Sequence, residues 1–251
     1  MARSRGGHVN YHWNWGIFFE PNPMGTGTYL DMLLSGLVLT LKTAMLAWII
    51  ALIFGSLVGV MRTLPSRGAY WFGFCWVEFF RNMPLLVQLF LWFFVLPELL
   101  PKAAGTWLKQ LPNAPFWTAA IGIGFFMSAR VAVQLQAGIG SLPRGQKMAA
   151  TALGLTTVQG YRYVLLPMAF RIILPPLTSE FLNTIKNTAV AITIGLLELT
   201  GQARSMQEFS FQVFEAFTAA TLIYLLVNAI VVTAMRFLER YVAIPGYITG
   251  K

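Results

Sequence analysis

The sequence predicts an all-α membrane protein with about five transmembrane helices, because charged residues are scarce and the apolar residues form long runs. Of the 251 residues, 57% are hydrophobic and only 11% are charged, whereas soluble domains carry about 25% charged residues. These polar side chains are too few to cover a water-facing surface. We therefore predict that the surface of the protein faces lipid. A helix needs roughly 20 apolar residues to cross the hydrocarbon layer. The runs that satisfy this are 33–61, 71–96, 116–139, 165–199 and 209–237.

The fourth run is interrupted by Pro175-Pro176 and by Lys186-Asn187. Proline and polar residues weaken a helical run, so the position of this crossing is less well defined than the others. The proline-rich segment 97–115 separates the second and third runs, and we predict an extramembrane loop there.

The first run contains one charged residue and a possible helix-contact motif. Lys42 lies toward the outer part of the run, where its stem can snorkel to the membrane surface. Gly55 and Gly59 have the GxxxG spacing that allows close helix contact. A chain with 22 glycines also produces this spacing by chance, so both interpretations stay open.

The formal net charge is +9, from 18 Lys and Arg against 9 Asp and Glu. The basic residues are scattered and form no long block, which argues against a nucleic-acid partner. We attribute the excess to the positive-inside bias of membrane proteins facing anionic lipid. Five crossings with this bias predict an external N-terminus and a cytoplasmic C-terminus, although the arginines at positions 3 and 5 count against it. The cytoplasmic cations would be Arg62, Arg67, Arg144, Lys147, Arg162, Arg236, Arg240 and Lys251.

This predicted topology divides the chain into three parts. Residues 1–30 are predicted to be extracytoplasmic or interfacial, residues 31–240 to form the transmembrane domain, and residues 241–251 to be a cytoplasmic tail. Aromatic rings favour the membrane interface. The N-terminal part carries Tyr11, Trp13, Trp15, Phe18 and Phe19.

Neither a metal site nor an enzymatic site is expected. Cys75 is the one cysteine, which excludes an internal disulfide. His8 and His12 have no further ligand nearby, so a solvated tail is the simpler interpretation. The predicted spans hold no histidine, and no HExxH, GxSxG or GxxxxGK[ST] pattern occurs. The sequence therefore predicts neither a membrane-embedded enzyme nor an ATP-hydrolysing chain.

The polar segment 141–163 carries the most informative motif. From Gly145 it reads Gly-Gln-Lys-Met-Ala-Ala-Thr-Ala-Leu-Gly-Leu, and Val-Leu-Leu-Pro follows at 164–167. It resembles the cytoplasmic EAA loop of ABC importer permeases, whose pattern is Glu-Ala-Ala, three residues, Gly, nine residues, Ile-x-Leu-Pro. The matching residues are Ala149, Ala150, Gly154, Leu166 and Pro167, whereas Met148 stands in place of the Glu and Val164 in place of the Ile.

The physical chemistry of this segment supports the resemblance. Two adjacent alanines let a short helix press its backbone against a partner surface. Gly154 permits a sharp turn, and Pro167 can begin the next helix. With Met148 in the motif, any salt bridge from the Glu to an ATPase is absent or supplied elsewhere, for instance by Lys147. The alternative is an ordinary amphipathic connector.

A second segment indicates which group of ABC importer permeases the chain resembles. Residues 78–88 read Glu-Phe-Phe-Arg-Asn-Met-Pro-Leu-Leu-Val-Gln. This is similar to the Glu-x-x-Arg-Gly-Thr-Pro-Leu of the polar amino-acid (histidine/glutamate-type) permeases, with Asn82 and Met83 replacing Gly-Thr. Together with segments 13–16 and 35–40 and the Pro245-Gly246 tail, it makes the chain similar to the glutamate/aspartate branch nearly end to end.

The resemblance implies a type I ABC importer permease (MetI-like) fold with a cytoplasmic coupling helix in 145–167. It implies a non-hydrolytic subunit of the bacterial cytoplasmic membrane that moves amino acids, foremost glutamate and aspartate, by alternating access. ATP and Mg²⁺ would be bound by two P-loop ATPase subunits. A second permease, related or identical, and an extracytoplasmic amino-acid-binding protein would complete the importer. The alternative, an ion-gradient-driven secondary amino-acid transporter, would need an internal repeat, and none is found.

Four polar residues of the spans are candidates for the substrate path, because an ionisable group in a membrane is a functional candidate by default. Arg130 lies near the middle of the third run, and its guanidinium can pair bidentately with a carboxylate. Gln134 follows one turn later on the same face. Lys186 and Asn187 lie where irregular backbone would line a cavity. A structural pair of Arg130 with Glu198, or snorkelling to the inner face, is the alternative.

Two further charged sites have competing interpretations. Lys186 could instead pair with Glu180 or Glu198. Glu78 and Arg81 lie at i,i+3 at the start of the second run, near the predicted cytoplasmic surface. The resemblance implies a gating or structural pair, whereas an ordinary ion pair at a helix start stabilises little.

Overall fold

The computed structural model describes residues 11–23, 25 and 27–242, and this part of the chain is almost wholly helical. Four of its helices are long and apolar enough to cross a membrane, or five if one sharply bent pair counts as a single span. This confirms the all-α membrane architecture. The helices are α1 (Tyr29–Met61), α2 (Arg67–Asn82), α3 (Leu85–Leu99), α4 (Lys102–Gln110), α5 (Ala114–Gly140), α6 (Arg144–Ala152), α7 (Thr157–Ile194), α8 (Leu199–Ser210) and α9 (Val213–Val242).

The first span begins at Tyr29, earlier than the apolar run that starts at residue 33, because polar residues cap it. The Asp31 N–H donates to Thr28 Oγ1 at 3.3 Å, and the Thr28 N–H donates to Asp31 Oδ2 at 2.8 Å. This reciprocal capping box satisfies N–H groups that a helix start leaves free. Polar residues thus extend α1 beyond its apolar part.

α1 and α5 pack closely and run in the same direction. A Cβ added to Gly55 would lie 2.5 Å from the Cβ of Val131, and one added to Gly124 would lie 2.7 Å from Cγ2 of Ile50. A Cβ on Gly59 would also meet the α5 backbone, at 2.9 Å. The GxxxG spacing is therefore a genuine helix contact.

The second predicted span, 71–96, is two helices rather than one. α2 and α3 meet at an angle of 103° where Met83 and Pro84 interrupt the helix. Proline lacks an N–H and disfavours helical backbone in the residue before it. The buried Gln88 holds the bend, because its Nε2 donates to the carbonyls of Phe80 at 3.0 Å and Met83 at 2.9 Å.

The helix of the fourth span starts at Thr157, so the expectation that Pro167 begins it is wrong. A π-helical turn, Tyr161–Leu165, precedes the proline. The wider turn reroutes backbone hydrogen bonds near a residue that has no N–H, so the helix continues. α3 has a similar π turn, Leu91–Val95, shortly before Pro97.

α7 is interrupted at its end and not at Pro175-Pro176, which lie inside the regular helix Leu166–Asn187. A membrane helix tolerates proline where its surroundings satisfy the freed carbonyls. Beyond this helix, the backbone tightens into the 3-10 turn Thr188–Ile194. Gly195, with φ 87°, ends it.

Two further span boundaries also differ from those predicted. α7 ends before residue 199, because the end of the run 165–199 belongs to the turn after Gly195 and to the start of α8. α9 begins at Val213 rather than at residue 209, because Phe211 takes left-handed backbone with φ 59° and separates it from α8. The extramembrane segment 97–115 also contains a helix, α4.

Contacts between distant residues show which helix ends share a side. The Tyr11 hydroxyl and the Asn14 N–H both donate to the Glu215 carboxylate at the start of α9. The Tyr161 hydroxyl donates to the Thr63 carbonyl at 2.9 Å, just past the end of α1. The starts of α1 and α9 therefore lie on one side, the N-terminal side, and α6 lies on the opposite side.

Burial raises the pKa of Tyr11 above its ordinary value of 10.0, and the Glu215 contact adds to this. The hydroxyl therefore keeps its proton, and its role as donor, at neutral pH. The predictions for His8 and for most of the C-terminal tail fall on residues 1–10 and 243–251, which lie outside the described residues.

Candidate functional site

Arg130 projects from the middle of α5 and pairs with α7. Its Nη1 lies 3.8 Å from Glu180 Oε2, and the two side chains are 45% and 12% exposed. Oε2 of Glu180 makes no hydrogen bond within the described part of the chain. The alternative pairing with Glu198 is wrong, because that carboxylate is fully buried and accepts hydrogen bonds elsewhere. The Arg130 guanidinium also lies over the Phe126 ring, 5.4 Å from its centroid. Arg130 is thus held by a long ion pair and a ring contact, and its side chain is still 45% exposed.

Lys186 and Asn187 lie at the end of the regular part of α7. Lys186 is exposed and has no salt bridge to any described residue, so the suggested pairs with Glu180 and Glu198 are wrong. Glu180 is six positions away, which places it roughly 240° around the helix. The Asn187 Nδ2 lies 3.5 Å from the Met127 sulfur on α5.

Glu78 and Arg81 do not form the expected ion pair. Glu78 Oε2 accepts a hydrogen bond from Asn82 Nδ2 at 2.8 Å, and Arg81 is exposed without a salt bridge to a described residue. They also lie deeper than predicted. Trp76, less than one turn before Glu78, donates to Ser128 Oγ in the middle of α5 at 3.0 Å.

Arg81, Arg130 and Lys186 are therefore cations near the depth of the middle of α5, and each is exposed on this single chain. A cation at bilayer depth is costly against lipid and is normally found against protein or water. These side chains are thus expected to face a partner surface or an aqueous path. Gln134, half-buried one turn beyond Arg130, has no side-chain hydrogen bond within the described chain.

α6 is a short helix that ends in a tight turn. The Leu155 N–H donates to the Ala150 carbonyl at 3.1 Å, and the Gly154 N–H donates to the Thr151 carbonyl at 3.0 Å. This pair of bonds is a Schellman cap, which requires left-handed backbone at the residue after the cap. Gly154 supplies it with φ 73°, so the turn expected at Gly154 is present.

α6 presents apolar side chains away from the rest of the chain. Met148 is 70% exposed and Leu153 is 80% exposed, and Gly145 and Ala149 also lie on the surface. Ala150 faces inward and is 6% exposed. Exposed apolar residues on the water-facing part of a membrane protein indicate a docking surface. Only one of the two motif alanines faces that surface.

All the charged residues in the segment from α6 into α7 are basic. No Asp or Glu occurs between residues 140 and 179, and its basic side chains are exposed. With Met148 in place of a carboxylate, this surface has no negative charge of its own. Its cations are Arg144, Lys147, Arg162 and Arg171.

A family model described as "Binding-protein-dependent transport system inner membrane component" matches residues 51–244, which include α2 to α9. The chain belongs to that family. It is a permease subunit of an ABC importer, an inner-membrane protein with several membrane-crossing helices.

Relatives that match most of this chain are named as amino-acid permeases. "Glutamate/aspartate import permease protein GltJ" of Escherichia coli K12 is 48% identical over 97% of this chain and 100% of the relative. "Probable amino-acid ABC transporter permease protein PatM" of Vibrio harveyi is 34% identical over 78% of this chain and 84% of the relative. These matches confirm the family inferred from the EAA-like segment.

Two solved structures share the fold. "Crystal structure of an amino acid ABC transporter with histidines" matches with a TM-score of 0.72 and 30% identity, over 85% of this chain and 95% of that chain. An inward-facing MetNI methionine transporter matches with a TM-score of 0.72 over 86% and 98% of the two chains, and its 19% identity shows the fold alone. The type I importer permease fold is therefore confirmed.

The contacts of two residues of this importer permease were not predicted from the sequence. Glu180 is the partner of Arg130, although the sequence suggested it for Lys186. Gln88 bridges the α2–α3 bend. In each case a polar residue within an apolar run was the available signal, and for Gln88 the proline four positions earlier pointed to broken backbone that needs donors.

Proposed function

We propose that this permease moves glutamate and aspartate into the cell. The observation that carries the proposal is the similarity to a glutamate/aspartate import permease, 48% identical over that relative's whole length. Arg130 supports it independently, because a guanidinium at membrane depth matches an anionic substrate better than a neutral one.

Arg130 is proposed to bind a substrate carboxylate by exchange with Glu180. The resting contact is long, at 3.8 Å, and leaves Arg130 half-exposed. A substrate carboxylate could accept hydrogen bonds from two N–H groups of the guanidinium in a planar fork, which Glu180 does not do here. Gln134, Lys186 and Asn187 are proposed to line the path at neighbouring depths.

The importer is proposed to contain four further subunits or partners of three kinds. Two P-loop ATPases, which bind ATP and Mg²⁺, would dock on α6, since its exposed Met148 and Leu153 suit a protein surface. A second permease, related or identical, would cover the exposed cations at membrane depth. An extracytoplasmic binding protein would deliver the amino acid. "Glutamate/aspartate import permease protein GltK" of Escherichia coli is 28% identical over 85% of this chain, so related permeases of that substrate class exist.

This chain is proposed to hydrolyse nothing itself and to have no nucleic-acid partner. Its orientation follows from the basic segment around α6, which the positive-inside bias places in the cytoplasm. The N-terminal segment 1–30 would then be extracytoplasmic or interfacial, and the tail 241–251 cytoplasmic, in a bacterial cytoplasmic membrane.

The test is uptake by the complex purified from native membranes and reconstituted in liposomes. We expect labelled aspartate to enter only when ATP is supplied on the α6 side and the binding protein on the other. A non-hydrolysable ATP analogue is the control. Uptake driven by an ion gradient without ATP would support the secondary transporter and contradict the proposal.

A further inference from the structure

A cavity of about 410 Å³ opens on the N-terminal side, between α1, the start of α5 and the turn that follows α7. Two polar side chains line it, Lys42 and Asn113, and Gly195 contributes backbone. The other lining residues are apolar, and no Asp or Glu is among them. Among the described residues, the lining of the cavity therefore includes a positive charge and no acidic side chain.

Lys42 is exposed and has no salt bridge within the described chain. Asn113 has left-handed backbone with φ 57°, and its side chain does not cap the helix that begins after it. That side chain makes no hydrogen bond to a described residue, which leaves its amide free to donate. The cavity thus offers an ammonium and an amide, a suitable donor set for a carboxylate.

The position of this cavity relates it to Arg130. α1 and α5 run in parallel, with Gly55 against Val131. Lys42 precedes Gly55 by a little under four helical turns, so it lies about 20 Å toward the N-terminal side of the level of Arg130, at 1.5 Å per residue. An anion bound at Lys42 would therefore be at the outer end of a route that leads inward to Arg130.

We propose that this cavity is an outer binding site for the carboxylate of the acidic amino acid, with Lys42 as the charge partner and Asn113 as hydrogen-bond donor. The proposal rests on the proposed function and adds an entry site to it. The same chemistry would suit a lipid phosphate, so the experiment separates the two anions.

The experiment uses charge replacement in the reconstituted complex, with Cys75→Ser removing the native thiol. Lys42→Cys is treated with a methanethiosulfonate that carries either an ammonium or a sulfonate. We expect Lys42→Cys to import aspartate about tenfold more slowly at saturating binding protein, equivalent to about 1.4 kcal/mol. The ammonium reagent should restore most of the rate and the sulfonate should not. Lys102→Cys, from an exposed lysine of α4 on the same side, is the matched control and should respond to neither reagent.

Protection measurements identify the anion. A cysteine at Leu197, which lines the same cavity, reports its occupancy while Lys42 stays in place. Aspartate should slow modification of Leu197→Cys, whereas the charge of the liposome lipid should not change that rate. A rate that depends on lipid charge and not on aspartate would assign the site to a lipid phosphate and overturn the proposal. Equal aspartate import by the ammonium and sulfonate adducts would also overturn it.

A second variant guards against misfolding of Lys42→Cys. Asn113→Asp places a carboxylate beside Lys42, and Asp tolerates left-handed backbone, so we expect slower import with unchanged recovery of the ATPase. Asn113→Gly keeps the backbone without the charge and is the control; equal import by Asn113→Asp and Asn113→Gly would contradict the site. If the unmodified complex imports no acidic amino acid, the proposed function fails first. If it imports aspartate and these variants behave like it, the outer site alone fails.

Discussion

α6 and the Arg130–Glu180 pair both contain basic side chains, but the surroundings of these side chains differ. The basic side chains of α6 are exposed on the water-facing side, and the helix end is fixed by hydrogen bonds between near neighbours. Arg130 lies at membrane depth, and its partner comes from another helix. A solvated charge stabilises little and tolerates loss, whereas a charge at membrane depth is costly unless it has a partner. We therefore expect substitutions in α6 to affect assembly with the ATPase and substitutions at Arg130 to affect transport.

The largest effect on assembly with the ATPase is expected at Gly154. Gly154→Val forces a β-branched residue into left-handed backbone, which costs of order 1–3 kcal/mol, and the lost turn would displace the docking surface of α6. We expect at least a tenfold loss of the ATPase that copurifies with the permease, measured by quantitative mass spectrometry.

Gly140→Val is the matched control, because that glycine has ordinary backbone and nothing within 4 Å of an added Cβ. Equal recovery of ATPase with both variants would show that the α6 turn does not set the docking surface.

The second effect concerns the bend between α2 and α3. Gln88→Leu leaves the Phe80 and Met83 carbonyls without this buried donor, at about 1–3 kcal/mol for an unsatisfied group. We expect the free energy of unfolding to fall by about 2 kcal/mol and Tm by roughly 4–8 °C, measured by thermal denaturation in detergent. Gln110→Leu, at an exposed position of α4, should change Tm little. A fall in Tm of equal size in both variants would show that Gln88 does not stabilise the bend between α2 and α3.

The third effect tests the partner of Arg130. Glu180→Gln removes the carboxylate that we propose exchanges with the substrate on Arg130. It should slow aspartate uptake roughly fivefold, about 1 kcal/mol, because Arg130 would then lack the partner that displaces the substrate. If the two residues act as one unit, adding Glu180→Gln to Arg130→Met should slow uptake no further. Fully additive losses in this double-mutant cycle would show that the pair is not coupled.

The smallest effect is expected for the surface charge of α6. Lys147→Ala should lower ATPase recovery by about fivefold or less, since an exposed ion pair contributes about 0.2–1 kcal/mol. A loss as large as that of Gly154→Val would mean that Lys147 supplies the contact that Met148 cannot make, and the contrast between solvated and membrane-depth charges would weaken.

The sequence predicted features that depend on neighbouring residues. The turn at Gly154 follows from a glycine placed after a short alanine-rich helix. The apolar runs located the four long helices to within a few residues or turns, and the remaining run fell on the bent pair α2 and α3. The EAA-like spacing indicated the family that the comparisons confirm. Each of these signals lies within one short stretch of chain.

Features that depend on distant residues were missed or misassigned. Arg130 pairs with Glu180 because α5 packs on α7 in a particular register, which no local pattern reveals. Pro175-Pro176 looked like the break in α7, yet a helix tolerates proline where its surroundings satisfy the backbone. Glu78 pairs with Asn82 rather than Arg81 because its nearest suitable donor lies one turn on.

The most direct test of the account is aspartate uptake per ATP hydrolysed by the Arg130→Met complex in liposomes, with Arg204→Met, an exposed arginine paired with Glu208, as control. The account predicts that Arg130→Met retains its ATPase and hydrolyses ATP, while uptake per ATP falls by about a hundredfold, the loss of about 2.7 kcal/mol of binding to a charged group. The control should import like the unmodified complex. Normal uptake per ATP by Arg130→Met would contradict the assignment of Arg130 to the substrate path.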